Sequence, residues 1–144
     1  MILERRKTKD VSRLALARFA NRAQRASGLD GEVTILLTSD AELRQLNLQF
    51  RKKDKPTDVL SFPSVGGGDI AISLQTARAQ ATALGHDLLT EIKVLILHGI
   101  LHLAGYDHES DSGEMRRTEE RLRSELRLPA GLIERTAPAR LRRR

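Results

Sequence analysis

The segment His98-Gly99-Ile100-Leu101-His102-Leu103-Ala104-Gly105-Tyr106-Asp107-His108 constrains this chain more than any other, because it gathers three of the four histidines into eleven positions. On an α-helix, His98 and His102 lie one turn apart on one face, so both imidazoles can grip a single metal ion. Were the helix to continue, His108 would stand roughly 9 Å beyond His102, at about 1.5 Å per residue, and on another face. Gly105 removes that obstacle. A glycine just past the last turn accepts the left-handed backbone that stops a helix and folds the chain back. The spacing therefore predicts a tris-imidazole site of His98, His102 and His108. Such a donor set suits zinc first, with nickel, cobalt or copper able to enter. Three protein ligands leave one coordination position open, the mark of a catalytic rather than a structural site.

The same spacing occurs in metzincin proteases, which carry a glutamate as general base directly after the first histidine. Here that position is Gly99. Lacking that carboxylate, a small metallopeptidase becomes the minor alternative, requiring a base from outside the motif.

The 144 residues suit one compact domain with a core of its own, and the absence of cysteine removes disulfides, thiolate metal sites and cysteine nucleophiles. The first ten residues are charged without an apolar core, unlike a signal peptide. The most apolar run, Val94 to Tyr106, falls short of the ~20 residues that span a bilayer. A soluble protein is expected. The net charge of +6 is unevenly spread: residues 129–144 hold five arginines against one glutamate, while the body is almost balanced. The expected organisation is a single domain over residues 1–128 and a basic tail over 129–144. For that tail, RNA contact and a solvated, disordered end stand as open alternatives. With only three phenylalanines and one tyrosine, stacking platforms are few, so nucleic-acid recognition would rest on charge and the metal.

Along the chain, Ile2 to Lys7 reads as an edge strand. A first helix follows, with Asp10 as its expected cap and Gly28 closing it. Glu32 to Leu37 is β-branched and apolar between turn residues, a strand. Ser39 with Glu42 opens a second helix as a capping box. The loop Arg51-Lys52-Lys53-Asp54-Lys55-Pro56 is basic, and proline keeps it from continuing as helix. Thr57 to Pro63 and Asp69 to Ser73 read as strands joined by Gly66-Gly67-Gly68, and Ser73 caps an alanine-rich helix that Gly85 ends. The histidine helix starts near Asp87 or Thr90 and is apolar nearly all round, so it should be central and buried. Asp111 or Ser112 caps a final helix, stopped by Leu128-Pro129. His86 is expected at the surface. Turn formation is the simplest account of Tyr106 and Asp107, with Asp107 also able to orient a ligand imidazole. Asp58 is read as a turn or strand-end carboxylate.

The histidine segment, taken with Phe50-Arg51, Pro56-Thr57-Asp58-Val59-Leu60-Ser61-Phe62-Pro63 and Gly68-Asp69-Ile70-Ala71-Ile72-Ser73 upstream, resembles the YbeY family of bacterial endoribonucleases, the ribosomal RNA maturation factors. The likeness covers roughly residues 30–128. It implies an α+β fold, a small mixed sheet of about four strands flanked by helices. It also implies a zinc-dependent, single-strand-specific endoribonuclease of the cytoplasm that matures the 3′ end of 16S ribosomal RNA and serves ribosome quality control. The family's metal triad falls on His98, His102 and His108, one zinc per chain, and its functional arginine on Arg51. From the residues alone Arg51 is one cation of a solvated loop; the resemblance makes it a phosphate-binding group, with Lys52, Lys53 and Lys55 beside it. The expected partners are single-stranded RNA, 16S ribosomal RNA and the small ribosomal subunit. A non-catalytic ribosome-assembly factor with a structural zinc is the alternative of another class.

Overall fold

A computed structural model describes residues 1–4, 11–50, the backbone of Arg51, 57–107 and 110–129. Four strands and five helices follow one another as β1 (Ile2–Glu4), α1 (Arg13–Ser27), β2 (Glu32–Thr38), α2 (Asp40–Arg51), β3 (Val59–Ser64), β4 (Gly67–Ser73), α3 (Leu74–Leu84), α4 (Leu88–Leu103) and α5 (Glu114–Glu125). The strands form one mixed sheet in the order β1-β2-β4-β3, with β1, β2 and β4 parallel and β3 antiparallel to β4. This is the α+β architecture expected from the sequence, with its four-stranded sheet and central histidine helix.

Strand alternation divides the apolar side chains between two faces. Val33, Ile35 and Leu37 of β2, with Ile70 and Ile72 of β4, join the main core shared with α1 and α4, whereas Leu60 and Ala71 pack with Leu43 of α2 on the other side. Pro63 lies in β3, an edge strand, where a missing N–H costs the ladder little. The β3–β4 hairpin turns through Val65-Gly66, so Gly67 and Gly68 belong to the strand and not, as the sequence suggested, to a three-glycine turn.

Local chemistry sets the helix ends. Ser12, rather than Asp10, caps α1 by accepting from the Ala15 N–H at 3.1 Å, and Gly28 closes it in the left-handed conformation; Asp10 lies outside the described residues. Ser39 accepts from the Glu42 N–H at 3.2 Å, as the expected capping box requires of it, and the Glu42 carboxylate accepts from the Thr38 hydroxyl. Asp40 ties the starts of two helices together: its carboxylate accepts from the hydroxyls of Ser73, the α3 cap, and Thr76. These hydrogen bonds, that from Ser73 foremost, hold the Asp40 carboxyl below the ordinary carboxylate range. Asp87 caps α4 through the Thr90 N–H at 2.8 Å, and hydrogen bonding from Thr90, its side chain foremost and then its backbone, likewise lowers the Asp87 pKa.

Helix α4 lies against β3 and β4 of the sheet and meets α1, α3 and α5 on its other sides. Twelve of its sixteen residues are buried. A helix enclosed so completely has little freedom to shift, so side chains projecting from it are held by the whole core.

Candidate metal centre

Two of the three expected ligands, buried His98 and half-buried His102, meet on α4. His98 and His102 leave one face of α4, with ring centroids 4.7 Å apart and ring planes at 74°. Their Nε2 atoms face each other at 3.1 Å. His98 is only 7% exposed, and its other ring nitrogen, Nδ1, lies 2.8 Å from Oε2 of Glu119 on α5, itself 1% exposed. A buried carboxylate is an acceptor, so it selects the tautomer in which Nδ1 carries the proton and the His98 Nε2 presents a lone pair.

The donor set fits a metal. Two imidazole nitrogens sharing an ion at ~2.0–2.1 Å stand roughly 3 to 3.5 Å apart, and the observed separation lies in that range. Carboxylate support on the far nitrogen of a ligating histidine is the usual way its ring is oriented and its basicity raised. His108, the third expected ligand, lies outside the described residues, and among the described residues no three potential ligands gather closely enough to hold an ion.

Chain reversal after His102 proceeds as the glycine spacing requires. The Gly105 N–H donates to the His102 carbonyl at 3.0 Å and the Tyr106 N–H to the Leu101 carbonyl at 3.1 Å, a Schellman closure with Gly105 at φ 101°. Tyr106 folds back onto the core. Asp107 shapes the next turn: its carboxylate accepts from Ser110 Oγ at 3.1 Å, and its carbonyl from the N–H groups of Ser110 and Asp111. At His98 the carboxylate on the far ring nitrogen is that of Glu119. The sequence did carry a signal for it, since Glu119 falls between Met115 and Leu122 on the buried side of α5, where a carboxylate needs a partner.

Gly99 has a steric reason of its own. A Cβ at this position would come within 2.9 Å of Ile70 on β4, and Ser61 of β3 donates its hydroxyl to the Gly99 carbonyl at 3.3 Å. Position 99 therefore faces the sheet, and a glutamate there would be driven into Ile70.

Arg51 is the last residue of α2, and its side chain lies outside the description, as do Lys52, Lys53 and Lys55. Asp58 accepts from Gln80 Nε2 at 3.2 Å, and its carbonyl from the Ser73 N–H, which makes it a strand-end anchor. His86 is half-buried rather than at the surface, with Nε2 2.7 Å from the fully buried Glu91. Among the described residues no helix is long and apolar enough to cross a membrane.

Comparison with known proteins identifies the family. The family model described as Endoribonuclease YbeY matches residues 2–127. The chain belongs to the YbeY endoribonuclease family. It is 53% identical over 139 residues to the Endoribonuclease YbeY of Koribacter versatilis, covering 94% of this chain and 91% of that protein. It is 54% identical over 133 residues to that of Solibacter usitatus, covering 91% and 90% respectively. The fold is also similar to the solution structure of TM1509 from Thermotoga maritima, with a TM-score of 0.57, 30% identity, and coverage of 88% of this chain and 89% of that one.

Proposed function

We propose that the imidazole pair on α4 belongs to the metal centre of an endoribonuclease specific for single-stranded RNA, with His98, His102 and His108 as ligands to zinc. The observation that carries this reading is the 3.1 Å approach of two Nε2 atoms, one of them on a ring held through Nδ1 by a buried carboxylate, in a YbeY family member. A zinc ion bound there supplies Lewis acidity towards water and towards a phosphoryl oxygen. The protein does the rest. Glu119 fixes the tautomer and direction of His98. Gly105 closes the end of α4 and reverses the chain at Tyr106, and His108 is the proposed third ligand. Arg51 offers a planar, permanently charged guanidinium to a non-bridging phosphate oxygen and stabilises the charge that builds on phosphorus. Lys52, Lys53 and Lys55 add attraction for the RNA backbone.

The peptidase alternative loses ground at Gly99, whose Cβ direction points at Ile70. A phosphodiester is anionic already, so positive charge at the site can supply much of what the absent carboxylate would give. The catalytic domain is assigned to residues 1–128, with 129–144 as a basic tail, and the substrate to the 3′ region of 16S ribosomal RNA on the small subunit in the cytoplasm.

Metal content and cleavage of a defined single-stranded RNA, measured together, test this assignment. His102→Ala and His108→Ala should each lose bound zinc, with cleavage reduced by more than ~100-fold. Full zinc and full cleavage in either variant would refute the ligand set.

A further inference from the structure

Helix α1 bears four arginines, Arg13, Arg18, Arg22 and Arg25, and no acidic residue. Helix α5 also bears four arginines, but alongside four glutamates, and it forms the i, i+4 pairs Arg116–Glu120 at 3.1 Å and Arg121–Glu125 at 3.4 Å. An arginine face that carries its own countercharge is a solvated surface. One that lacks it holds mobile counterions, which an incoming polyanion releases with a gain in free energy.

Arg18, Arg22 and Arg25 recur at i, i+4 and i+7, so they share one exposed face over roughly 10 Å of helix axis. With Lys93 of α4 and the loop Gly28 to Gly31 they line a cleft of about 1000 Å³. Asp30 is the one carboxylate in that lining, and Lys93 also bears on Asp87 at the α4 cap. Among the described residues none of the four cations stands in a salt bridge. Arg13 is otherwise engaged, donating to the Ile2 carbonyl at 2.6 Å. Arg22 and Lys93 each lie 5.8 Å from the centroid of the Phe19 ring, which helps hold both side chains at the cleft wall.

The cleft lies apart from the imidazole pair: Lys93 precedes His102 by nine residues, half a turn out of phase on the helix. It is nevertheless connected to that end of α4. A second depression is lined by Gly28, Leu29 and Asp30, which it shares with the cleft, and by Leu103 to Tyr106, the reversal that follows His102.

We propose that the α1 face is a docking surface for RNA backbone, holding a flanking part of a long RNA while another part lies at the histidine end of α4. This rests on the endoribonuclease reading for the identity of the polyanion. Guanidinium groups match phosphate geometry, and such contacts position a strand without reading its sequence. Phe19 is buried and offers no ring for stacking, so the surface grips backbone rather than bases.

The test separates binding from cleavage. Glutamine keeps a helix propensity close to that of arginine, so Arg18→Gln, Arg22→Gln and Arg25→Gln are combined. Binding is followed by fluorescence anisotropy in a His102→Ala background, using single-stranded RNAs of roughly 40 and roughly 6 nucleotides, and cleavage in the background with His102 intact. The triple variant should bind the long RNA at least ~10-fold more weakly at low salt, with the slope of log K against log salt shallower by about 2, three contacts at ~0.7 each. It should cleave the short RNA at the parental rate. Arg25→Gln alone, in the last turn of α1, should give about a third of that slope change, which covers the case of a triple variant that does not fold. Unchanged affinity and slope for the long RNA would overturn the proposal, as would an equal loss on the short RNA. Displacement of the long RNA by poly-L-glutamate as effectively as by unlabelled RNA of equal charge would overturn it in favour of an acidic protein. Binding of the long RNA through this face by a protein that cuts neither RNA would uphold the docking surface and defeat the endoribonuclease reading.

Discussion

Two histidine–glutamate pairs stand at opposite ends of α4, and they differ in which ring nitrogen the carboxylate takes. At the N-terminal end Glu91 meets Nε2 of His86 at 2.7 Å; towards the C-terminal end Glu119 meets Nδ1 of His98 at 2.8 Å. Both glutamates are buried, and Glu91 precedes His98 by two helical turns on the same stripe. Contact at Nδ1 directs the far nitrogen of His98 towards His102. His86 has its far nitrogen engaged by the carboxylate, and among the described residues no second imidazole faces it. The same two residue types thus make an anchor at one end and a ligand-ready ring at the other. The arrangement around a histidine, not its burial or its acidic partner, separates structure from chemistry here.

The largest effect that would sharpen this contrast is expected at Glu119. Glu119→Ala should weaken zinc affinity by about 10- to 100-fold, read by calorimetric titration, while Glu119→Gln should recover part of the loss because its amide oxygen still accepts from Nδ1–H. Unaltered affinity in Glu119→Ala would dissolve the distinction between the pairs. A smaller effect, on a different quantity, is expected at the other end. His86→Ala removes one partner of the buried Glu91 and should lower folding stability by about 1 to 3 kcal/mol in urea unfolding, with zinc affinity unchanged within about twofold. A zinc defect as large as that of Glu119→Ala would make the two pairs equivalent.

The smallest effect concerns a carboxylate held by hydroxyls. Asp40 has a folded pKa below its unfolded value, so it favours folding above the unfolded pKa, and that contribution disappears as pH falls through the folded one. Asp40→Asn should therefore flatten the acid limb of the stability profile, measured by urea unfolding from neutrality to roughly pH 3, and leave zinc affinity untouched. A steeper acid limb in the variant would show the sign to be reversed.

Much of this was legible in the chain because it depends on neighbours in sequence. Gly28, Ser39, Ser73, Gly85 and Asp87 mark helix ends by local hydrogen bonding, and each is found at such an end. Gly105 and the pairing of His98 with His102 follow from helical geometry alone. What escaped is long-range or unusual in backbone. Glu119 reaches His98 across 21 positions, so only the tertiary packing of α5 on α4 reveals the contact. The sequence puts the end of α5 at Leu128-Pro129, yet the helix stops at Glu125 in a Schellman closure, with Arg127 at φ 61° where glycine is the common residue. The sequence points His86 to the surface because nothing nearby in it announces that Glu91 is buried.

The position of Glu119 in the last described helix sets an order of assembly. A nascent chain that has emerged as far as Leu103 already possesses both imidazoles, but the carboxylate that orients one of them is still unsynthesised. N-terminal elements fold first during synthesis, so the strands and α1 to α4 can form while the ring of His98 lacks that partner. The nuclease would then acquire its metal-ready geometry only after α5 is made, and a polypeptide cut short before Glu114 would have most of the fold without that support.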